Sequence, residues 1–129
     1  MAKTAIVSSK VPAPAGAYSP GLAVGEWLFL SGQGGFDPAT GELASTEIEG
    51  QTEQAFRNVD ALLEEAGLSR NDIVSCLVHL SDLSLFPRYN AVYERQLAEP
   101  RPVRTTVGAS LLGGMLIELT VIAHREAGA

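Results

Sequence analysis

The sequence predicts an α+β fold in which one sheet is covered on one face by two helices. Two segments repeat apolar residues every three to four positions, as amphipathic helices do, and the segments around them are short and apolar or alternate as strands do. The 129 residues, 46% apolar and 19% charged, have the composition of one globular domain spanning 1–129. The predicted order is β-β-α-β-α-β-β, which favours one sheet with both helices on the same side.

The first half of the chain predicts a hairpin followed by a long helix. Residues 5–7 are β-prone but short and are not counted in this order, and the prolines of 11–20 indicate a loop. Gly25 and Glu26 separate two apolar runs, 22–24 and 27–31, as the turn of a β-hairpin does. The periodic segment 48–66 predicts the helix, with Gly67 as its left-handed cap. Thr46 and Glu49 have capping-box spacing, although Gly50 could place the true start later.

The second half alternates strands with a shorter helix. Segment 72–81 predicts a half-buried strand whose core face carries Val74, Cys76, Val78 and Leu80. Segment 86–97 predicts a helix with Pro87 in its first turn and Asp82 or Ser84 as its cap. Segments 103–109 and 115–124 predict the last two strands, joined by a short turn.

Composition excludes several classes of function. One cysteine, Cys76, allows no internal disulfide, and its place among aliphatic residues indicates a buried structural thiol. The two histidines, His79 and His124, show no metal-motif spacing, and we read His79 as a surface or packing residue. A net charge of −6 disfavours nucleic acid and membrane partners. Because the sequence has no apolar run long enough to span a bilayer, we expect a cytoplasmic protein.

Three features suggest a site for a small anion. Arg104 begins an apolar strand at a position normally given to a core residue, so it needs an anionic partner, either a ligand carboxylate or a glutamate of the protein. Glu118 shares a strand face with Thr120 and is the candidate for that internal partner. The glycine-rich run 31–35 is either a tight turn or a means of exposing backbone N–H groups to a ligand.

Four short motifs carry a resemblance to a known family. They are GAYSP at 16–20, LSGQ at 30–33, NAVYE at 90–94 and PVRTTV at 102–107. In this order and spacing the chain resembles the Rid (YjgF) family, also called endoribonuclease L-PSP. The resemblance implies a chorismate-mutase-like fold and a homotrimer with ligand clefts between subunits. It further implies hydrolysis of 2-imino acids to 2-oxo acids and ammonia, with no metal and no cofactor.

The resemblance also assigns roles to residues. Arg104 would bind the substrate carboxylate, Tyr18 would line the cleft, and Ser31 and Gly32 would offer backbone contacts. Asn90 and Thr106 are further binding candidates. The resemblance places the expected catalytic acid at Thr120, where this chain has no acid, and Glu118 is the candidate to replace it.

Three functions therefore remain open from the sequence. The first is a deaminase of small 2-imino acids or a related imine hydrolase, which Arg104 supports. The second is a non-catalytic sensor or binding protein for a small carboxylate, which the loss of an acid at Thr120 supports. The third is an endoribonuclease, which the acidic composition argues against.

Overall fold

A computed structural model describes residues 2–129 and confirms the α+β fold, with two helices packed on a single mixed sheet. The strands are β1 (Lys3–Ile6), β2 (Gly21–Val24), β3 (Trp27–Leu30), β4 (Ile73–Leu80), β5 (Val103–Gly108) and β6 (Ile117–His124). The helices are α1 (Ile48–Glu65) and α2 (Phe86–Gln96). Short 3₁₀ turns lie at Arg70–Asp72, Leu83–Leu85 and Leu112–Gly114.

The six strands are arranged in the order β1-β2-β3-β6-β4-β5. All neighbours are antiparallel except β4 and β5, which are parallel and are connected through α2. The structure adds β1 to the predicted order. Its four residues are too few to show alternation, and pairing with β2 is what makes them a strand.

The core lies between the helices and one face of the sheet. α1 contributes Phe56, Val59, Leu62 and Leu63, all fully buried, as the helical periodicity predicts. The opposite face of the sheet, which we call the open face, presents apolar side chains that nothing in residues 2–129 covers. It includes Trp27, Phe29, Leu77, Val103 and Val107, which are 37 to 72% exposed.

Two local predictions differ from the structure. A β-bulge between Ile73 and Ser75 makes Ile73, rather than Val74, the buried residue at the start of β4. The predicted capping box at Thr46 is absent, because the N-cap of α1 is Glu47 and the carboxylate of Glu49 is bonded to Arg88 on α2. The helix also begins at Ile48, so Gly50 does not delay it.

The structure bears on two further expectations. Neither helix within residues 2–129 has the length and apolarity needed to cross a bilayer. The left-handed cap predicted at Gly67 is present, with φ +75°.

Candidate functional site

Arg104 lies on the outermost strand, β5, and faces the helices. It is paired in register with Cys76, a buried core residue of β4, and residues paired in this way share a face. Its guanidinium carbon lies 4.6 Å from the ring centre of Tyr93, 5.4 Å from that of Phe86 and 5.6 Å from that of Tyr89. This aromatic cage holds the charge by cation–π attraction.

One polar side chain fixes the guanidinium. Nη1 of Arg104 donates a 2.7 Å hydrogen bond to Oδ1 of Asn90 on α2. These two residues line an open depression of about 430 Å³ together with Tyr93 and Arg101, and we call it the arginine pocket. Arg101 is ion-paired to Glu99, but none of the ion pairs found in residues 2–129 includes Arg104.

The expectation that Glu118 pairs with Arg104 is therefore wrong within one chain. Residues of β6 alternate as predicted, and Glu118 is paired with His79 on the open face. The sheet itself separates the two charges, because Arg104 lies on the helix side. The remaining N–H groups of the guanidinium are left for another partner.

The groups beneath Arg104 are uncharged. Burial raises the pKa of the Tyr93 and Tyr89 phenols and of the Cys76 thiol, so all three stay protonated at neutral pH. The hydroxyl of Thr106 lies 3.1 Å from the Tyr89 phenol oxygen. Thr106 thus supports the cage by its side chain and is not on the lining of the arginine pocket.

A second cavity of about 350 Å³ surrounds Glu118, and we call it the glutamate cleft. Tyr18, Gly32, Phe36 and Met115 line it with Glu118. The carboxyl group of Glu118 lies against Gly32, since a Cβ added to that glycine would be 2.5 Å from Cδ of Glu118. Gly32 lines this cleft, and its N–H makes no hydrogen bond within residues 2–129.

Helix α1 and strand β6 hold the wall of this cleft in place. The buried amide of Asn58 donates to the carbonyls of Gly34 and Phe36, at 3.0 and 2.9 Å. The backbone of Gln33 exchanges two hydrogen bonds with Leu119, at 2.8 and 2.9 Å. The glycine-rich run is therefore an anchored extension of the sheet and not only a tight turn.

The predicted site residues divide into two groups and a remainder. Arg104 and Asn90 meet in the arginine pocket, and Tyr18, Gly32 and Glu118 meet in the glutamate cleft. Ser31 is not on the lining of the glutamate cleft; its N–H donates to Pro20 O and its hydroxyl to Ser19 O.

Thr120 points to the open face beside Leu77 and lines neither cavity. Glu118 lines the glutamate cleft, whereas Thr120, the position at which the resemblance places the catalytic acid, does not.

Sequence reasoning did not identify the aromatic cage. Phe86, Tyr89 and Tyr93 follow the spacing of one helix face, and that spacing is the same for a core stripe as for a binding surface. The sequence feature that could have indicated the cage is Arg104, at the start of the strand beside this helix. In the part of the chain that the structure describes, no group of three or more His, Cys, Asp or Glu side chains could hold a metal ion.

Comparisons with known proteins agree with this architecture. The family model described as Endoribonuclease L-PSP matches residues 8–125. A RutC family protein of Pyrococcus abyssi is 42% identical over 127 residues, which are 98% of this chain and 100% of the relative. Reactive Intermediate Deaminase A of Arabidopsis thaliana is 33% identical over 85% of this chain and 59% of its own.

A solved structure gives the same result. Escherichia coli TdcF with bound serine superposes with a TM-score of 0.89 at 31% identity, covering 95% of this chain and 99% of TdcF. The near full-length matches in sequence and fold show that this chain belongs to the Rid family, the family of Endoribonuclease L-PSP.

Proposed function

We propose that the protein hydrolyses small 2-imino acids to 2-oxo acids and ammonia, in homotrimers whose clefts are each shared by two subunits. The observation that carries the proposal is Arg104, a guanidinium oriented by Asn90 and three rings but ion-paired to no carboxylate within residues 2–129. A planar guanidinium fork binds a carboxylate through two parallel hydrogen bonds. The related TdcF binds serine, which carries such a carboxylate.

The separation of the two cavities supports a shared cleft. No small molecule can touch Arg104 and Glu118 of one chain, because the sheet lies between them. If the arginine pocket of one copy meets the glutamate cleft of the next, the contact joins two different surfaces, and a rotation of one third of a turn between copies closes it into a ring of three. The apolar open face gives such a ring an interior to bury.

The chemistry needs a carboxylate anchor and one acid–base group. With the substrate held by Arg104, the carboxylate of Glu118 takes a proton from water as the water oxygen bonds to the iminium carbon and the C=N electron pair moves to nitrogen. The same proton then passes to the amine. The C–N bond breaks, its electrons leave with ammonia, and the oxygen forms the carbonyl and gives its proton to the ammonia. The products are a 2-oxo acid and ammonium.

Gly32 fits this scheme at two points. Its bare Cα leaves space for the Glu118 carboxyl, and its free N–H can bond a substrate oxygen or the attacking water. Orientation by these groups is enough for useful rate acceleration, because it replaces an encounter in solution with a fixed geometry.

Coupled turnover of freshly generated 2-iminopropanoate tests the proposal, with semicarbazone trapping as the readout. We expect faster hydrolysis with the wild-type protein than in buffer, and a loss of roughly 10²-fold or more in Glu118→Gln. Thr120→Val is measured beside it. If Thr120 rather than Glu118 handles the water, the valine variant loses activity and the glutamine variant keeps it.

The same assay separates the alternative functions. If the protein binds pyruvate but does not turn over the imine, the proposed deaminase function is wrong and the protein is a carboxylate sensor. Cleavage of RNA, abolished by Glu118→Gln, would replace it by a nuclease. The net charge of −6 disfavours the nuclease, because it repels a polyanion.

A further inference from the structure

A histidine faces the glutamate of the cleft from the neighbouring strand. His79 on β4 is paired in register with Glu118 on β6, and both side chains point to the open face. Nδ1 of His79 lies 3.9 Å from Oε1 of Glu118. Each side chain is little more than one quarter exposed, so the pair is half-buried.

Both members of this pair lack other polar partners. Nδ1 of His79 is a buried nitrogen without a hydrogen bond. The carboxylate of Glu118 accepts no hydrogen bond from any group in residues 2–129. A separation of 3.9 Å is about 1 Å longer than a charge-assisted hydrogen bond, a gap that a side-chain rotation would close.

Within residues 2–129, the neighbouring strands set no charged side chain other than Glu118 beside His79. Its neighbour on β5 is Val107, and Leu77 precedes it on the same face of β4. The segment 31–36 that covers Glu118 has no titratable side chain, and the cleft adds the phenol of Tyr18. Among the residues that the structure describes, the carboxylate of Glu118 is thus the only acidic group set directly against the imidazole.

We propose that His79 is the positioning residue for Glu118, holding its carboxylate in the cleft through Nδ1–H and sharing its proton. This inference rests on the proposed imine hydrolysis and assigns to that site a residue outside its lining. The imidazole acts only through Glu118, because the glutamate lines the cleft and the histidine does not.

The proton balance is simple. With the shared proton on His79, Glu118 is ionised and accepts the proton of the attacking water. That second proton goes on to the amine, so the pair ends each turnover as it began. Histidine suits the task because a protonated imidazole is a donor at Nδ1, so Nδ1–H can hold the carboxylate.

Three variants test this role. His79→Phe removes the nitrogen and keeps a planar ring, and we expect kcat to fall at least roughly tenfold with little change in KM. His79→Asn keeps a donor near the position of Nδ1, and we expect it to recover part of kcat. His124→Asn on the same sheet face, where the ring packs on Trp27, is the matched control.

A purely structural role makes a different prediction. If His79 only packs, both variants keep the wild-type kcat, and the proposal is overturned. Loss of trimer mass or of thermal stability in His79→Phe, with full activity restored in His79→Asn, would overturn it too.

A measurement without turnover separates this inference from the proposed function. In ¹⁵N NMR of the imidazole, we expect the Nδ1 resonance of His79 to shift in Glu118→Gln, because the hydrogen bond to the carboxylate is lost. If the resonance shifts but the wild-type protein hydrolyses no imine, the pair exists and the proposed function fails. An unchanged resonance refutes the pair itself.

Discussion

Arg104 is held by one amide and three aromatic rings, and this arrangement fixes the plane of the guanidinium. We expect Arg104→Ala to lower kcat/KM by roughly 30- to 4000-fold, because an unpaired carboxylate in a partly desolvated cleft costs ~2–5 kcal/mol. Arg104→Lys is also expected to fail, since a point charge cannot reproduce the planar fork.

Both Arg104 variants are tested in two ways. Their turnover of 2-iminopropanoate is assayed, and their affinity for pyruvate is measured by calorimetry. The control is Arg95→Ala on α2, whose guanidinium bonds only to the carbonyl of its own helix at Ala91. Folded Arg104 variants that bind pyruvate like the wild type would show that the arginine is only structural.

Gly32 is the second residue whose identity affects the site. In Gly32→Ala the new methyl group would lie 2.5 Å from Cδ of Glu118, so the carboxyl group must move. We expect kcat to fall roughly tenfold or more, because acid–base catalysis depends on a carboxyl within hydrogen-bond reach of the water. Gly16→Ala is the control, since its methyl group would meet only the Tyr18 ring at 3.9 Å. Equal kcat in the two variants would contradict this account of Glu118.

Among the elements, α1 and α2 are tied together at their N-termini by charge. Arg88 on α2 donates to Glu49 at 2.9 and 2.8 Å and to Glu47 at 2.7 Å. These hydrogen bonds lower the pKa of Glu49 to about 2 from 4.5. The groups are exposed, so the stabilisation is small and is screened by salt.

The sign of the pH effect follows from this lowered pKa. A carboxyl with a depressed folded-state pKa stabilises the fold above its unfolded pKa of 4.5, and this stabilisation is lost as pH falls towards 2. We expect Arg88→Ala to lower the urea midpoint at neutral pH and to converge with the wild type in acid. A difference in midpoint that is the same at both pH values would argue against the ion pair as its source.

Elements with a long periodic pattern were predictable, and local irregularities were not. The predictions of helix α1 and of alternating burial in β6 agree with the structure, because in each segment many apolar side chains lie on the same face. The bulge at Ile73 and the strand β1 depend on pairing with distant segments, which periodicity does not encode. Likewise, the motifs led to Arg104, but the separation of Arg104 from Glu118 follows only from strand register.

At the scale of the whole molecule, the uncovered open face predicts assembly. Trp27, Phe29 and Val103 expose 43, 42 and 72% of their surface on it. We expect light scattering to give a mass about three times 13.6 kDa at micromolar concentration. Trp27→Glu is expected to lower that mass, because the new charge would be buried in the ring. If the wild-type protein has the mass of one chain, both the proposed trimer and the proposed shared cleft are wrong.

The sheet that separates Arg104 from Glu118 has a genetic consequence. If each cleft takes its arginine from one subunit and its glutamate from the next, Arg104→Ala and Glu118→Gln damage different halves of the same cleft. Two inactive proteins, unfolded and refolded together in equal amounts, would then regain about a quarter of wild-type turnover, because that share of interfaces joins two intact halves. The double variant Arg104→Ala/Glu118→Gln, mixed with wild type, would instead leave intact clefts only between wild-type neighbours. Two inactive alleles can complement each other in this way only if each catalytic site takes its groups from two different subunits.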